Sequence, residues 1–296
     1  MTAQIIDGKA IAANVKVWLK QQISQLKQQH QKVPHLACVL VGENADSASY
    51  VRSKLKTAND LGMQVSDLHL PAEISQDQLL QKIQQLNLDQ NINGILVQLP
   101  LPKHIDENLI IETINPEKDV DGLHPQNLGK LFANQDGIKS CTPLGCMILI
   151  DSVLSDLSGK NALVIGRSTL VGKPMAAMLL NADCSVQIAH SKTKNLAALC
   201  QQADIIIAAA GAPKLVKADW VKAEAVLIDV GLTWDQTAKQ GKGGLVGDID
   251  FASVSEKAAA ITPVPGGVGP MTIAGLMLNS FEATCRQNNL PVVVYR

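Results

Sequence analysis

The sequence predicts an α/β protein of two three-layer α/β lobes with a cleft between them. Three observations lead there. Short continuous apolar runs, such as Leu36 to Val41 and Ala162 to Ile165, have the length and composition of strands covered on both faces of a parallel sheet. Amphipathic helical stretches alternate with those runs, which favours parallel layers joined by right-handed crossovers. A stretch rich in Pro, Asp, Gly and Asn, from Asn115 to Gly137, separates two such series, and 296 residues suffice for two ordinary domains.

In the first series, Ile11, Val15, Leu19, Ile23 and Leu26 recur at helical steps and predict a helix from Gly8 to about Gln31. The strand Leu36–Val41 follows and ends at Gly42. Ala45 to about Leu61 reads as a helix closed by Gly62 at its C-terminal cap. A strand over Val65–Leu70, a helix over Gln76–Leu86 and a strand over Gly94–Leu99 complete a β-α-β-α-β run, with a further helical piece after Pro102. The second series starts near Cys141 with a helix to Leu157. It continues as strand Ala162–Ile165, helix Lys173–Asn181, strand Ser185–Ala189, helix Leu196–Gln201, strand Ile205–Ala209 and strand Ala225–Val230. Asp235 to Gly244 reads as an exposed hairpin without a chemical role, and Met271–Arg286 as a closing helix.

Composition removes several function classes. Hydrophobic residues make up 46% and charged residues 18%, with 26 Lys+Arg against 27 Asp+Glu, which argues against a disordered acidic chain and a strongly basic nucleic-acid binder. Aromatics at 3% are too few for the stacking platforms of single-strand readers. No apolar run reaches the length of a membrane-spanning helix, and the N-terminus lacks an export signal, so the expectation is a cytoplasmic protein with no membrane or nucleic-acid partner. The six cysteines include no Cys-x-x-Cys pair and the six histidines show no ligand spacing, so no metal is expected and the thiols read as small core residues.

The motifs point to chemistry. Gly166-Arg167-Ser168-Thr169-Leu170-Val171-Gly172 lies after a strand and before a helix, where backbone N–H groups and the helix dipole favour a phosphate. It departs from G-x-G-x-x-G, because Ser168 stands at the second Gly position and Gly172 comes one step late. Lys173 is followed by Pro174, which excludes a nucleotide-hydrolysing P-loop. The loop alone leaves two readings open, a Rossmann-type dinucleotide-binding turn and a tight strand-to-helix turn with no ligand. Where an NAD site places a carboxylate after the next strand, this chain has His190-Ser191-Lys192-Thr193-Lys194. Arg167, Ser191 and the nearby lysines suit a 2′-phosphate, which favours NADP over NAD; the alternative is ordinary surface cations with a capping hydroxyl.

In the first half, Tyr50 and Lys54 share one helix face, as a solvated face or as a pocket in which the ring stacks on a heterocycle and the lysine acts as base or proton shuttle. Gln98-Leu99-Pro100-Leu101-Pro102 sits at the carboxyl end of an expected parallel strand, where α/β folds collect ligands. Asp119-Val120-Asp121-Gly122 and the Pro- and Gly-dense run from Pro263 to Thr272 read as fixed loops in close contact with something.

Taken together, YVRSK, QLPLP, the DVDG run, CTPLG, GRSTLVGKP, HSKT and PVPGGVGPMT, in this order and spacing, resemble the bifunctional methylenetetrahydrofolate dehydrogenase/cyclohydrolase family from about residue 4 to residue 285. The resemblance implies oxidation of 5,10-methylenetetrahydrofolate by NADP+ and hydrolysis of the methenyl product to 10-formyltetrahydrofolate, a formyl donor. It implies a folate-binding catalytic domain over residues 1–140 and 271–296, an NADP-binding domain over 141–270, and a homodimer. The implied catalytic set is Lys54 as base or proton relay, Gln98 orienting it, Tyr50 stacked on the aminobenzoyl ring and Asp121 accepting the pterin N–H donors. Leu99, Pro265 and Gly269 line the folate, and Gly166, Arg167, Ser168, Ser191 and Leu232 hold the cofactor. Thr142, Val171, Gly211 and Thr272 rank as further contacts. The alternatives are a monofunctional dehydrogenase and a non-enzymatic module that binds NADP and folate.

Overall fold

The computed structural model describes residues 2–237 and 243–295. The chain divides into two compact units. The six-stranded unit comprises Met1–Ala13 with Thr142–Thr272, and the three-stranded unit comprises Asn14–Cys141 with Ile273–Arg296.

In the three-stranded unit, β2 (His35–Val41) lies between β3 (Gln64–Leu70) and β4 (Gly94–Val97), and both pairings are parallel. Alternation decides which face each side chain serves. Ala37, Val39 and Val41 share one core with Leu79 and Ile83 of α3 (Gln76–Leu88), while Leu36, Cys38 and Leu40 are buried on the opposite face. Both faces are therefore covered, as the unbroken apolar run requires. A reciprocal capping box between Ser75 and Gln78 starts α3, and Asn44 accepts from the Ser47 amide to start α2 (Ala45–Asp60). Beyond the end of α2, Gly62 has φ +86°, a conformation that favours glycine. The short helix α4 (Glu107–Thr113) follows, started by the Asp106 side chain.

The six-stranded sheet is parallel throughout, in the order β1 (Gln4–Ile5), β11 (Ala260–Ile261), β8 (Val226–Asp229), β7 (Ile205–Ala208), β5 (Asn161–Ile165), β6 (Ser185–Ala189). From β5 the chain runs outward to β6 and then crosses back to β7, so the strand order reverses between β5 and β7. In open α/β sheets that point opens a crevice at the carboxyl ends of the strands. The helices α7 (Gly172–Asn181) and α8 (Leu196–Gln202) form the two crossovers on either side of β6.

Three expectations are corrected. Residues 1–13 belong to the six-stranded unit, because Gln4 and Ile5 pair with Ala260 and Ile261. The loop expected over 115–137 contains α5 (Pro125–Phe132), which Pro125 at its first turn and the His124 side chain start. The helix expected to reach Leu157 is α6 (Cys141–Asp151) and stops six residues earlier. Strands β9 (Thr233–Asp235) and β10 (Gly244–Val246) pair antiparallel, with Trp234 opposite Leu245. Residues 238–242 of the expected hairpin lie outside the described residues. The last helices are α9 (Phe251–Val254) and α10 (Val268–Gln287). Among the described residues, no helix is long and apolar enough to cross a membrane, and no group of three or more His, Cys, Asp or Glu could hold a metal ion. All six cysteines are buried.

Candidate active site

Helix α2 places Lys54 one turn beyond Tyr50, and Lys54 is only 5% exposed. Its Nζ donates to Gln98 Oε1 at 2.9 Å and lies 4.4 Å from the centre of the Tyr50 ring, within the range of a cation–π contact. Gln98 follows β4 directly, and its backbone N–H donates to the Val39 carbonyl of the central strand at 2.9 Å. Its side-chain Nε2 donates to the Leu99 carbonyl at 2.6 Å, so Oε1 is the atom left to face the ammonium. Among the described residues Lys54 forms no ion pair. Its amine is thus held by a neutral amide and an aromatic face, an arrangement that leaves a proton-bearing nitrogen oriented by its neighbours.

Asp121 sits on a loop fixed from several sides. Asp119, 2% exposed, accepts from the Gly122 amide through Oδ1 (3.1 Å) and from the His124 amide (2.8 Å) and Asn127 Nδ2 (2.9 Å) through Oδ2. Asn279 of α10 donates to the carbonyls of Val120 (2.8 Å) and Lys139 (2.7 Å), and Ser140 Oγ donates to the Gly122 carbonyl (2.8 Å). Gly122 has φ +71°, and a Cβ there would overlap the Lys139 backbone, so this turn requires glycine. Burial pushes the Asp119 carboxyl above its ordinary value.

Two thiols relate Lys54 to Asp121. Burial pushes Cys38 up to about 12, with the Lys54 ammonium pulling down and the Asp67 and Asp121 carboxylates pushing up. Burial also raises Cys141 well above its usual value, Asp121 adds to that, and Lys54 opposes it. The Lys54 ammonium and the half-buried Asp121 carboxylate thus act in opposite directions on the same pair of buried thiols.

In the six-stranded unit the turn after β5 shows why its glycines are where they are. Gly166 has φ +132°, and a Cβ there would overlap the Ala209 carbonyl oxygen; a Cβ on Gly172 would overlap the Gly166 carbonyl. These are a tight strand exit and a close helix-to-strand approach. Ser168 bonds within the turn itself. Its Oγ accepts from the amides of Val171 (3.1 Å) and Gly172 (3.4 Å), while its carbonyl accepts from Lys173 (3.0 Å). The serine therefore closes the turn that leads into α7, whose own cap position, Val171, has no side-chain acceptor to offer, a role the sequence pattern did not show. Arg167 and Ser168 are exposed. Ile165 pairs with Ala189, so Arg167 and Ser191, each two residues further on, leave adjacent strands at one level. The His190 amide donates to Thr193 Oγ1 at 2.9 Å and the Lys192 amide to His190 Nδ1 at 3.2 Å, which folds the basic segment into a compact turn.

Leu232 is 63% exposed beyond β8. Thr142 and Thr272 share a 3.0 Å hydroxyl contact. Val171 is half-buried and Gly211 exposed. Pro265 and Gly269, both exposed, belong to the six-stranded unit, whereas Lys54, Gln98, Leu99, Tyr50 and Asp121 belong to the other.

Sequence reasoning missed Asn279, a fully buried amide on a helix whose neighbours Met271, Ala274 and Met277 are also buried. A polar residue at an apolar helical position was the available signal. It also missed the buried carboxylates Asp229 and Asp248, whose burial is set by long-range packing.

Residues 6–121 match the family model described as tetrahydrofolate dehydrogenase/cyclohydrolase, catalytic domain, and residues 140–288 match the corresponding NAD(P)-binding domain. The chain is 52% identical over 278 residues to the bifunctional protein FolD of Pelagibacter ubique, covering 94% of this chain and 97% of that one. Among solved structures, the bifunctional FolD methylenetetrahydrofolate dehydrogenase/cyclohydrolase of Campylobacter jejuni superposes with a TM-score of 0.92 at 46% identity, covering 97% of this chain and 100% of that one. The Trypanosoma brucei N5,N10-methylenetetrahydrofolate dehydrogenase-cyclohydrolase, solved with NADP cofactor and inhibitor, gives 0.91 at 37% identity, over 97% of this chain and 98% of that one.

Proposed function

This chain belongs to the tetrahydrofolate dehydrogenase/cyclohydrolase family, and from that membership we propose how its residues divide the work. The protein is a bifunctional enzyme. It oxidises 5,10-methylenetetrahydrofolate to 5,10-methenyltetrahydrofolate with NADP+, then hydrolyses that cation to 10-formyltetrahydrofolate. The observation that carries the assignment of roles is the buried Lys54 ammonium oriented by Gln98 and seated on Tyr50.

The six-stranded unit fits the cofactor by its shape: the turn at Gly166 and Gly172 has no room for side-chain carbon, and Arg167 and Ser191 each follow by two residues a pair of registered positions on neighbouring strands. Gly166, Ser168 and Leu232 would line the dinucleotide, and Arg167 with Ser191 would hold a 2′-phosphate through charge-assisted hydrogen bonds. NADP+, when bound, supplies the acceptor for the hydride that leaves the methylene carbon.

Lys54, in its neutral form, accepts a proton from the water that attacks the methenyl carbon. The C–O bond forms, the bond from that carbon to N5 then breaks as N5 takes up the remaining proton of the water, the C=O of the formyl group forms and stays on N10, and the proton taken by Lys54 passes to solvent, a net release of one. Gln98 holds Nζ in line through Oε1. Asp121, on its clamped loop, accepts the paired N–H donors of the pterin edge. Tyr50 stacks on the aminobenzoyl ring, and Leu99 shapes the surface beside the folate.

The test follows NADPH and the methenyl chromophore separately in one sample. NADPH should rise while the methenyl species decays. Accumulation of the methenyl species would leave a dehydrogenase alone, and binding of NADP and folate without turnover would leave a binding module. The same reading places the enzyme in the cytoplasm as a homodimer, checked by cell fractionation and by light scattering, which should give twice the chain mass.

A further inference from the structure

The exit of β7 forms one wall of the crevice where the strand order reverses. Ala208 pairs with Ile165, the Ala209 amide donates to the Ile165 carbonyl at 2.8 Å, and the Ala209 carbonyl fills the space a Gly166 side chain would need. The next two amides turn inward. Ala210 and Gly211 both donate to one oxygen, Asp248 Oδ2, at 2.6 and 2.9 Å.

Asp248 has no solvent exposure and is itself held by a second carboxylate. Its backbone amide donates to Asp229 Oδ1 at 2.9 Å, and its carbonyl accepts from Val216 at 3.0 Å. Asp229, at the end of β8 and 3% exposed, also accepts from the amides of Gly231 (3.0 Å) and Ile249 (2.9 Å), while its own amide donates to Thr262 Oγ1 at 2.8 Å. Gly231 and Gly247 pack so closely on these carboxylates that a Cβ on either would overlap a carboxylate oxygen. Neither aspartate forms an ion pair among the described residues. Two buried acidic groups without a cation cost stability unless backbone donors compensate them. Here the donors come from three separate strand exits. Burial also pushes the Asp229 carboxyl up to about 7, its backbone donors pull it down, and Asp248 pushes it further up.

We propose that Asp248 is a positioning residue for the NADP site: by drawing the Ala210 and Gly211 amides inward, it holds the β7 exit against the Gly166 turn and sets the width of the cofactor crevice. The inference rests on the reading of the six-stranded unit as the NADP-binding part. Asp248 does not touch the pterin chemistry assigned to Lys54, so its effect should separate the two activities.

The experiment uses the full chain with Asp248→Ala and Asp248→Asn, the latter keeping one acceptor oxygen for the two amides. Three quantities are read: the NADP dissociation constant, dehydrogenase kcat and KM, and cyclohydrolase turnover of methenyltetrahydrofolate without added cofactor. For Asp248→Ala the NADP dissociation constant should rise about tenfold or more, with cyclohydrolase turnover within about twofold of wild type. Asp248→Asn should give an intermediate rise, at least about threefold, and it decides the matter if the alanine variant does not fold. A rise below threefold in Asp248→Asn, or a parallel loss of both activities in that variant, overturns the proposal, the second because it marks a general structural role. Wild-type protein that fails to bind NADP would break the underlying assignment; wild-type binding with an unmoved Asp248→Asn breaks this inference alone.

Discussion

Replacing Lys54 with Met keeps an unbranched apolar stem and deletes the group that donates to Gln98 Oε1 at 2.9 Å and sits 4.4 Å from the Tyr50 ring centre. Two losses lower stability: leaving the half-buried Gln98 acceptor without its donor costs about 1 kcal/mol, and the cation–π contact contributes about 0.5–2 kcal/mol. One gain opposes them, because a charge only 5% exposed no longer has to be buried. The variant should therefore fold, within about 2 kcal/mol of the parent. Its chemistry should not survive so well. A positioned acid–base group contributes about 10²–10⁴-fold, equivalent to about 3–5 kcal/mol of barrier. Opening of the methenyl cation, followed by loss of its chromophore, should slow by at least about a hundredfold, while the NADP dissociation constant stays within about twofold. An unchanged opening rate in a correctly folded variant would refute the assignment of Lys54 as the proton acceptor.

Arg167→Ala should weaken NADP by about 10–100-fold and NAD hardly at all, since one charge-assisted hydrogen bond contributes about 1.5–3 kcal/mol; equal losses would place the 2′-phosphate elsewhere. Asp119→Asn replaces an acceptor that serves the Gly122 and His124 amides, and should raise KM for the folate substrate more than KM for NADP in steady-state assays. Asp229 carries a raised pKa in the folded protein, from 3.8 to about 7, so the native state holds its proton more tightly than the unfolded chain. Its contribution is most favourable below the unfolded value and is lost as pH rises through that window. Urea midpoints at pH 5 and pH 8 should accordingly differ less in Asp229→Asn than in the parent. Ile83→Ala, at a position with no solvent exposure in the α3 face of the three-stranded core, should cost about 2–5 kcal/mol by denaturant titration.

What the sequence made legible was local. Strand β2 could be read because a strand buried on both faces must be apolar without alternation, and Gly62 marks a helix end because few other residues tolerate its backbone angle. The pairing of Tyr50 with Lys54 followed from helical spacing alone. Helix α5 escaped because Pro125, Asn127 and Gly129 read as loop residues, although Pro125 occupies the one helical turn where proline fits. Strands β1 and β11 hold two residues each and exist only through each other and β8, so no local pattern announces them. The Gln98 contact to Lys54 was expected from resemblance, but the amide orientation that directs Oε1 needed the Leu99 carbonyl in place. Asp248 was invisible for the same reason: its partners, Ala210 and Gly211, come from a different strand exit.

The parallel pairing of Gln4 and Ile5 with Ala260 and Ile261 also constrains the order of events during synthesis. The first of these segments leaves the ribosome early and must wait until the second has emerged. By then β2, β3 and β4 have long been available to each other, so the smaller sheet can assemble cotranslationally while the larger one still lacks its outer edge. The β1 edge is therefore a late addition, made only once both of its distant segments are present.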